Sequence, residues 1–152
     1  SFSQKSQRYV TEKEQFDYVI PPTVNNSDIV DEYKEFMGEI FKFYAKMIEK
    51  GIPAEDARYV LPNATTSSLV VSLNLRELIH VANLRLCTNA QHEIRTMVKM
   101  MCDLVIEKDQ WLAEHLVPKC VKLGYCDEMR SCGRYESVSK IESIPKIDSR
   151  GI

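Results

Sequence analysis

Apolar residues recur at helical spacing over residues 29–48, and this segment limits the fold of the 152-residue chain more than any other. A helix turns once in about 3.6 residues, so such a pattern places the apolar side chains on one face. The members of this pattern are Ile29, Val30, Tyr33, Phe36, Met37, Ile40, Phe41, Tyr44, Met47 and Ile48. Asn26 or Ser27 can cap the start, and Gly51 followed by Pro53 ends it. We predict a long amphipathic helix.

Shorter elements surround this helix in the prediction. Short extended segments near residues 7–20 stop at Pro21 and Pro22, and a β-branched run predicts a strand near residues 67–73. Helices are predicted at 53–58, 74–86, 90–106 and around 111–115. The apolar side of the helix at 90–106 consists of Ile94, Met97, Val98, Met101 and Val105. The pattern predicts an α+β fold in which helices dominate and a few short strands complete the structure.

The length of the chain predicts one domain over residues 1–152. Hydrophobic residues make up 44% of the chain, so a packed core is expected. Past Gly124 the helical periodicity is lost, and residues 137–152 are predicted to form a loop or tail.

Charge and composition exclude several classes of protein. The chain has 20 Lys and Arg against 22 Asp and Glu, a net charge of -2, which is unlike proteins that wrap a nucleic-acid duplex. No stretch approaches the roughly 20 apolar residues of a membrane helix. The polar start at Ser1 lacks the layout of a signal peptide. Five cysteines, an odd number, favour reduced thiols and a cytoplasmic location.

The predicted helix that begins at Asn74 presents two kinds of polar group. Its apolar stripe consists of Leu75, Leu78, Ile79, Ala82 and Leu86. Arg76, His80 and Asn83 lie roughly opposite this stripe, whereas Arg85 lies at its edge, half-sheltered by the core. Two arginines without an acidic partner suit an anionic ligand. A solvated helix face explains the same pattern equally well.

The sequence shows no activated nucleophile. Ser1, Ser3 and Ser6 have no His or Lys base at a motif-like distance, so they suit hydrogen bonding to a phosphate or sugar beside Arg8. No glycine-rich phosphate loop is present, so a nucleotide would have to be held by side chains.

The histidine and cysteine spacing disfavours a metal site. Four candidate ligands are separated by four, five and five intervening residues, without a close Cys-x-x-Cys pair: His115, Cys120, Cys126 and Cys132. We therefore predict no metal ion. Cys87 and Cys102 lie on or beside predicted helices and are expected to be buried thiols.

Four segments together resemble the motifs of the flavin-dependent thymidylate synthases, also called the thymidylate synthase complementing family. Residues 1–9 resemble the second half of the family signature, and residues 57–62 match its Ala-Arg-x-Val-Leu-Pro element. Residues 74–85 match the Asn-x-Arg-x-Leu-x-His-x-x-x-Leu-Arg helix, and residues 90–95 match the following Ala-Gln-x-Glu-Ile-Arg. The matches keep the family's order and extend to about residue 106.

One half of the family signature is absent from the chain. The signature opens with Arg-His-Arg, followed by seven residues and a Ser that corresponds to Ser6. The chain begins with Ser1 rather than Met. We expect the chain to be the C-terminal portion of a longer protein, whose N-terminal half completes the mixed sheet-and-helix fold of the family.

The resemblance implies an activity and an assembly. Members methylate dUMP to dTMP, with methylenetetrahydrofolate as carbon donor and FAD reduced by NADPH, and use no cysteine nucleophile. The resemblance also implies a homotetramer with active sites shared between subunits. The helix geometry agrees with this, because the face of Arg76 and His80 points away from its own core.

The resemblance also assigns roles to individual residues. It implies that dUMP is bound by Gln4, Ser6, Gln7, Arg8, Arg58 and Arg85. Gln4 stands where many members carry Glu. Arg85 is the implied catalytic residue, because it would face the pyrimidine and polarise its carbonyls. FAD would be contacted by Asn74, Arg76 and His80.

An alternative from another class is a non-catalytic helical interaction module whose Arg/His face binds an acidic partner. Retention of a flavin by the purified full-length protein distinguishes the two hypotheses. A nucleic-acid binder has little support, because no basic stripe accompanies the slightly negative charge.

Overall fold

A computed structural model of the protein describes residues 1–6 and 17–138. The strands are β1 (Phe2–Gln4) and β2 (Leu69–Val71), and the α-helices are α1 (Pro22–Asn25), α2 (Val30–Glu49), α3 (Ala54–Ala57), α4 (Leu75–Arg85), α5 (His92–Lys108) and α6 (Lys119–Leu123). Two 3₁₀ helices, Arg58–Val60 and Gln110–Glu114, complete the described elements. The predicted α+β fold dominated by helices is confirmed.

The chain divides after Ser72 into two compact units. A boundary of this kind can lie within one domain or between two, so the single domain over residues 1–152 stays a prediction. Within residues 1–6 and 17–138, no helix is long and apolar enough to cross a membrane.

The long helix α2 forms where the apolar periodicity predicts it, within one residue at each end. Neither predicted cap is correct: the side chain of Ser27 instead donates to the carbonyl oxygen of Val24 at 2.6 Å, and Ile29 occupies the cap position. Asp31 and Glu32 lie in the first turn, where their charge favours the positive end of the helix dipole. Gly51, with a φ of 79°, ends the segment in the left-handed region that suits glycine.

The core of the first unit forms between α2 and the short helix α3. Tyr44 is 1% exposed, Ala57 is fully buried, and Met37 is 6% exposed. Tyr33 on the same helix donates its hydroxyl to the carbonyl oxygen of Val19 at 3.1 Å. Aromatic and sulfur-containing side chains of α2 therefore hold α3 and the preceding segment in place.

The described strands form a two-stranded antiparallel sheet. Ser3 pairs with Val70, and the pairing continues past β1 through a 2.8 Å hydrogen bond from the Lys5 amide to the Ser68 carbonyl oxygen. The strand predicted near residues 67–73 is confirmed. Of the extended segments predicted near residues 7–20, residues 7–16 lie outside the described residues, and 17–20 contribute an isolated bridge from Tyr18 to Thr65.

The core of the second unit forms where α4 packs against α5. Its buried members are Leu78, Ala82, Val98, Cys102, Leu112 and Leu116. The helices predicted at 74–86 and 90–106 are both confirmed. Two residues assigned to apolar stripes are exposed instead: Leu75 at 40% and Met97 at 44%. Leu75 lies in the first turn of α4, and Met97 is about 100° around α5 from the buried Val98.

The segment after Pro118 begins with the five-residue helix α6, which the apolar pattern did not predict. The helix ends at Gly124, which has a φ of 75° and donates its amide to the Cys120 carbonyl oxygen at 2.9 Å. Ser137 forms an isolated bridge with Cys126. The rest of the loop or tail predicted over residues 137–152 lies outside the described residues from position 139 onward.

Candidate active site

A small concave surface in the first unit brings together residues from two distant parts of the sequence. It is lined by Gln4, Lys5, Ser6 and Arg58. Three of these four residues are among those predicted to bind a nucleotide. Two cationic side chains, a hydroxyl and an amide form a donor set that suits a phosphate group.

Local structure fixes the position of Arg58. The residue follows α3 and is half-buried. Its Nε donates to the carbonyl oxygen of Glu55 at 3.1 Å, and its guanidinium carbon lies 5.7 Å from the centre of the Tyr59 ring. An arginine held by one nitrogen and a neighbouring aromatic face loses less side-chain freedom when it binds an anion.

Lys5 was not predicted from the sequence as a member of this surface. It lies between the two predicted residues Gln4 and Ser6 at the end of β1, and its amide pairs with β2. The position of Lys5, a cation inside a motif of hydrogen-bonding residues, was the sequence signal that could have identified it. The predicted contacts of Gln7 and Arg8 lie outside the described residues.

Asn74 has a structural role at the start of α4. Its side-chain oxygen accepts a hydrogen bond from the Glu77 amide at 2.9 Å, which is the usual geometry of a helix N-cap. This hydrogen bond leaves the side-chain NH2 of Asn74 as the group that could contact a ligand. The capping role of Asn74 therefore uses its oxygen and leaves its nitrogen unused.

Arg76 and His80 are exposed on α4, one turn apart. Within the described residues, neither makes a hydrogen bond or an ion pair. Asn83 differs from them: it is half-buried, and its Nδ2 donates to the Ile79 carbonyl oxygen at 2.6 Å. The polar face available to a ligand therefore consists of Arg76 and His80, without Asn83.

Arg85 is exposed, so its predicted half-sheltered position is wrong for this chain. Ala82, one turn earlier, is fully buried, whereas Arg85 is the last residue of α4, where the helix leaves its core. Its guanidinium makes no hydrogen bond or ion pair in the described part of the chain. Arg85 is thus a charged planar donor available to a ligand.

Several polar and cationic groups of both units are therefore exposed or half-buried. Arginine forks and hydroxyl groups of this kind are typical of proteins that bind phosphate-bearing ligands through side chains. A family model described as thymidylate synthase complementing protein matches residues 1–109. The chain belongs to this family.

Curated relatives extend the match beyond the family model. The chain is 38% identical over 138 residues to a flavin-dependent thymidylate synthase of Pyrococcus abyssi, and 41% identical over 137 residues to one of Nitratidesulfovibrio vulgaris. Each alignment covers 84% of this chain and 56% of the relative. The chain therefore spans little more than half the length of these relatives.

A solved structure shares the fold. It is the crystal structure of a UMP/dUMP methylase, PolB, from Streptomyces cacaoi, bound with 5-Br dUMP. The TM-score is 0.62 at 25% sequence identity, and the match covers 70% of this chain and 56% of the other.

Proposed function

We propose that the protein containing this chain is a flavin-dependent thymidylate synthase that converts dUMP to dTMP. The observation that carries the proposal is the concave surface of Gln4, Lys5, Ser6 and Arg58, because it lies within the segment matched by the family model. The similar structure from Streptomyces cacaoi, a UMP/dUMP methylase bound with 5-Br dUMP, supports the same substrate.

In this proposal the concave surface binds the phosphate and sugar of dUMP. A nucleotide phosphate carries up to two negative charges, and Lys5 and Arg58 offset them. Ser6 and Gln4 supply neutral donors that orient the phosphate and sugar. Gln7 and Arg8, which follow Ser6 in the sequence, are proposed to add further hydrogen-bond donors for dUMP.

Arg85 is the proposed catalytic residue. Its guanidinium presents parallel N–H donors to the carbonyl edge of the pyrimidine, and its positive charge withdraws electron density from the ring. Unlike a lysine, an arginine presents N–H donors in one plane, so two of them can converge on the same carbonyl oxygen. A permanent charge also keeps this donor set constant across the physiological pH range.

The residues of α4 fit a flavin dinucleotide. Arg76 and His80 are exposed, adjacent on one face and without described partners, and the NH2 group of Asn74 is not used by the helix N-cap. These are donors for a pyrophosphate and for ring or ribose oxygens. Bound FAD, reduced by NADPH, supplies the reducing equivalents, and methylenetetrahydrofolate supplies the carbon. Arg76, His80 and Asn74 bind and orient the cofactor.

The proposal includes a homotetramer with shared active sites in the cytoplasm. Large apolar side chains are exposed on the chain by itself, at Phe36 and Phe43 of α2 and at Met100 and Leu104 of α5, with exposed fractions of 54–64%. Contact with other subunits would bury such side chains. Burial by the remaining part of the same protein is the alternative.

Two measurements on the full-length protein test the function. The purified protein should be yellow, with a flavin absorbance band, and should form dTMP only when dUMP, NADPH and methylenetetrahydrofolate are all present. A colourless protein that does not take up FAD would favour the non-catalytic interaction module. Light scattering decides the assembly, and shared sites predict that inactive variants altered in different halves of the site regain activity on mixing.

A further inference from the structure

Four of the five cysteines line one cavity in the second unit. They are Cys87, Cys120, Cys126 and Cys132. All four are free thiols, and the cavity has about 540 Å³ of empty space, part of which is open to solvent. The fifth cysteine, Cys102, belongs to the hydrophobic core instead. The proposed catalysis uses none of these thiols.

Helix packing brings the most distant of the four cysteines close to the others. Cys87 directly follows the C-cap of α4, and Cys120 lies within α6. Because α4 packs against α6, these two positions meet although many residues separate them in sequence. Gly124, in its left-handed conformation, then reverses the chain between Cys120 and Cys126.

Hydrogen bonds hold the other two cysteines at the same cavity. The amide of Cys126 donates to the Glu136 carbonyl oxygen at 2.7 Å, and its own carbonyl oxygen accepts from the Val138 amide at 2.8 Å. A hydrogen bond with the side chain of Thr88 holds the thiol of Cys132 and lowers its pKa. Thr88 is the immediate neighbour of Cys87.

The four thiols are close enough to influence one another electrostatically. Burial raises the pKa of Cys120 most, and each of the other three thiols raises this pKa further. Arg134 opposes these effects by lowering the pKa. Lys119 and Arg134 line the cavity together with Asp127 and Glu128, and Lys119 pairs with Asp127, so Arg134 is the cation of this lining without a described ion pair.

We propose that these four cysteines bind one divalent cation of the zinc class as thiolates. Four thiolates are a common ligand set for structural zinc, and soft sulfur ligands exclude magnesium and calcium. Each metal–sulfur bond replaces an S–H bond, and the proton passes to solvent. The product carries a net charge of about -2, which Arg134 offsets in part.

The coordination geometry is not preformed in this structure. Among residues 1–6 and 17–138, no three His, Cys, Asp or Glu side chains already stand where they could hold a metal ion. Neutral thiols have no attraction for one another, whereas metal–sulfur bonds of about 2.3 Å require the sulfur atoms to converge. Binding must therefore rotate the four side chains so that their sulfur atoms converge on one point in the cavity that they line.

The benefit of such a site is structural. Between Lys119 and Val138 the described backbone contains only the short helix α6 and the isolated bridge of Cys126 with Ser137. A metal ion would join this segment to the end of α4 through Cys87. Segments with little core of their own commonly depend on such cross-links. Spacing alone did not suggest this set, because it compared His115 with the three later cysteines and left Cys87 out.

Metal content of the full-length protein, purified without chelator under reducing conditions, tests the proposal. We expect one zinc per chain, released when a thiol reagent modifies the cysteines. Cys120→Ser and Cys132→Ser should each lose the metal, whereas Cys102→Ala, outside the cavity, should retain it. The intact mass of the protein shows whether the cysteines are reduced, because each disulfide lowers the mass by two hydrogen atoms.

Cobalt titration of the metal-free wild-type protein keeps the test independent of variant folding. Co²⁺ held by four thiolates gives strong sulfur-to-metal absorption bands and the visible bands of tetrahedral coordination. Saturation at one Co²⁺ per chain would support the site. A reduced protein that binds neither Zn²⁺ nor Co²⁺ would overturn it, as would native disulfides between these cysteines. Neither the metal content nor the cobalt spectrum depends on flavin or dUMP. A failure of the metal proposal can therefore be distinguished from a failure of the proposed catalysis.

Discussion

The side-chain oxygen of Asn74 accepts a hydrogen bond from the backbone amide of Glu77 at 2.9 Å. This contact caps α4, the helix that carries the proposed flavin and pyrimidine contacts. The same residue is thus needed for helix stability through its oxygen and proposed for ligand binding through its nitrogen. Substitutions that treat the two atoms differently can separate these roles.

We expect Asn74→Ala to lower the free energy of unfolding by roughly 1 kcal/mol, because it removes the cap. Asn74→Asp keeps a capping oxygen and should preserve the melting temperature. It also replaces the NH2 group by an acceptor, so flavin retention should fall. Thermal melting and flavin absorbance of both variants check this prediction. Unchanged flavin content in Asn74→Asp would limit Asn74 to its structural role.

Arg85→Lys should impair turnover far more than folding. The side chain is exposed and has no described partner, so stability should barely change. Loss of the planar fork in the transition state should cost roughly 2–4 kcal/mol, by analogy with single oxyanion donors. Steady-state dTMP formation is measured beside the melting temperature, with Arg130→Lys as an exposed control. Near-normal turnover would remove Arg85 from the catalytic role.

Arg76→Ala and His80→Ala should weaken flavin retention and leave dUMP affinity less affected. Both residues lie on one face of α4, whereas the proposed phosphate contacts lie in the other unit. Flavin absorbance after gel filtration and calorimetric titration with dUMP report the two ligands separately. Glu77→Ala, also exposed on α4, is the matched control. Equal losses of both ligands would contradict the assignment.

Val98→Ala should destabilise the second unit by roughly 2 kcal/mol, because it removes buried apolar groups and leaves a cavity. Val98 is fully buried, whereas its neighbour Met97 is 44% exposed. Met97→Ala should therefore change stability by less than about 0.5 kcal/mol in the chain by itself. Denaturant unfolding of both variants provides the comparison. A large loss for Met97→Ala in the assembled protein would place Met97 in a subunit contact.

The ion pair of Lys119 and Asp127 should contribute to stability only within a pH window. A hydrogen bond from Lys119 lowers the pKa of Asp127 below its ordinary 3.8, and the same bond raises the pKa of Lys119 above 10.5. The ion pair contributes fully to the free energy of unfolding between the two ordinary pKa values, 3.8 and 10.5. It is lost as the pH falls through the lowered pKa of Asp127, and also as it rises through the raised pKa of Lys119.

Comparison with Asp127→Asn at pH 7 and pH 3 measures this contribution. The difference in melting temperature between the two proteins should shrink as the pH falls below 3.8, because the unfolded chain then binds a proton at Asp127 that the folded chain binds only at lower pH. We expect a small effect, because both side chains are partly exposed and salt screens such pairs. A difference that is constant with pH would show that the ion pair does not contribute.

The sequence predicted those parts of the fold that depend on a strong local pattern. The bounds of α2 follow from its apolar repeat, and Asn74 was placed at the start of α4, where it caps the helix. Strand β1 was missed, because Phe2 to Gln4 is short and exposed and exists through pairing with β2. Pairing with a distant segment leaves little trace in three residues.

The candidate site was predictable only as far as family motifs extend. Gln4, Ser6 and Arg58 were identified from motifs, and the structure brings them to one surface. Their neighbour Lys5 became evident only from the fold. The exposure of Arg85 also could not be read from the periodic pattern, because its position at the end of α4 determines how much core surrounds it.

The left-handed turn at Gly124 has a consequence for how the cysteine cavity forms. A side chain at this position would meet no atom within 4 Å, so the requirement for glycine comes from the backbone angle alone. The turn that leads from Cys120 towards Cys126 thus depends on the backbone freedom of one glycine. In the proposed metal site this turn fixes the backbone alone, and the sulfur atoms must still converge when the ion binds. A substitution at Gly124 would then weaken metal binding without removing a ligand.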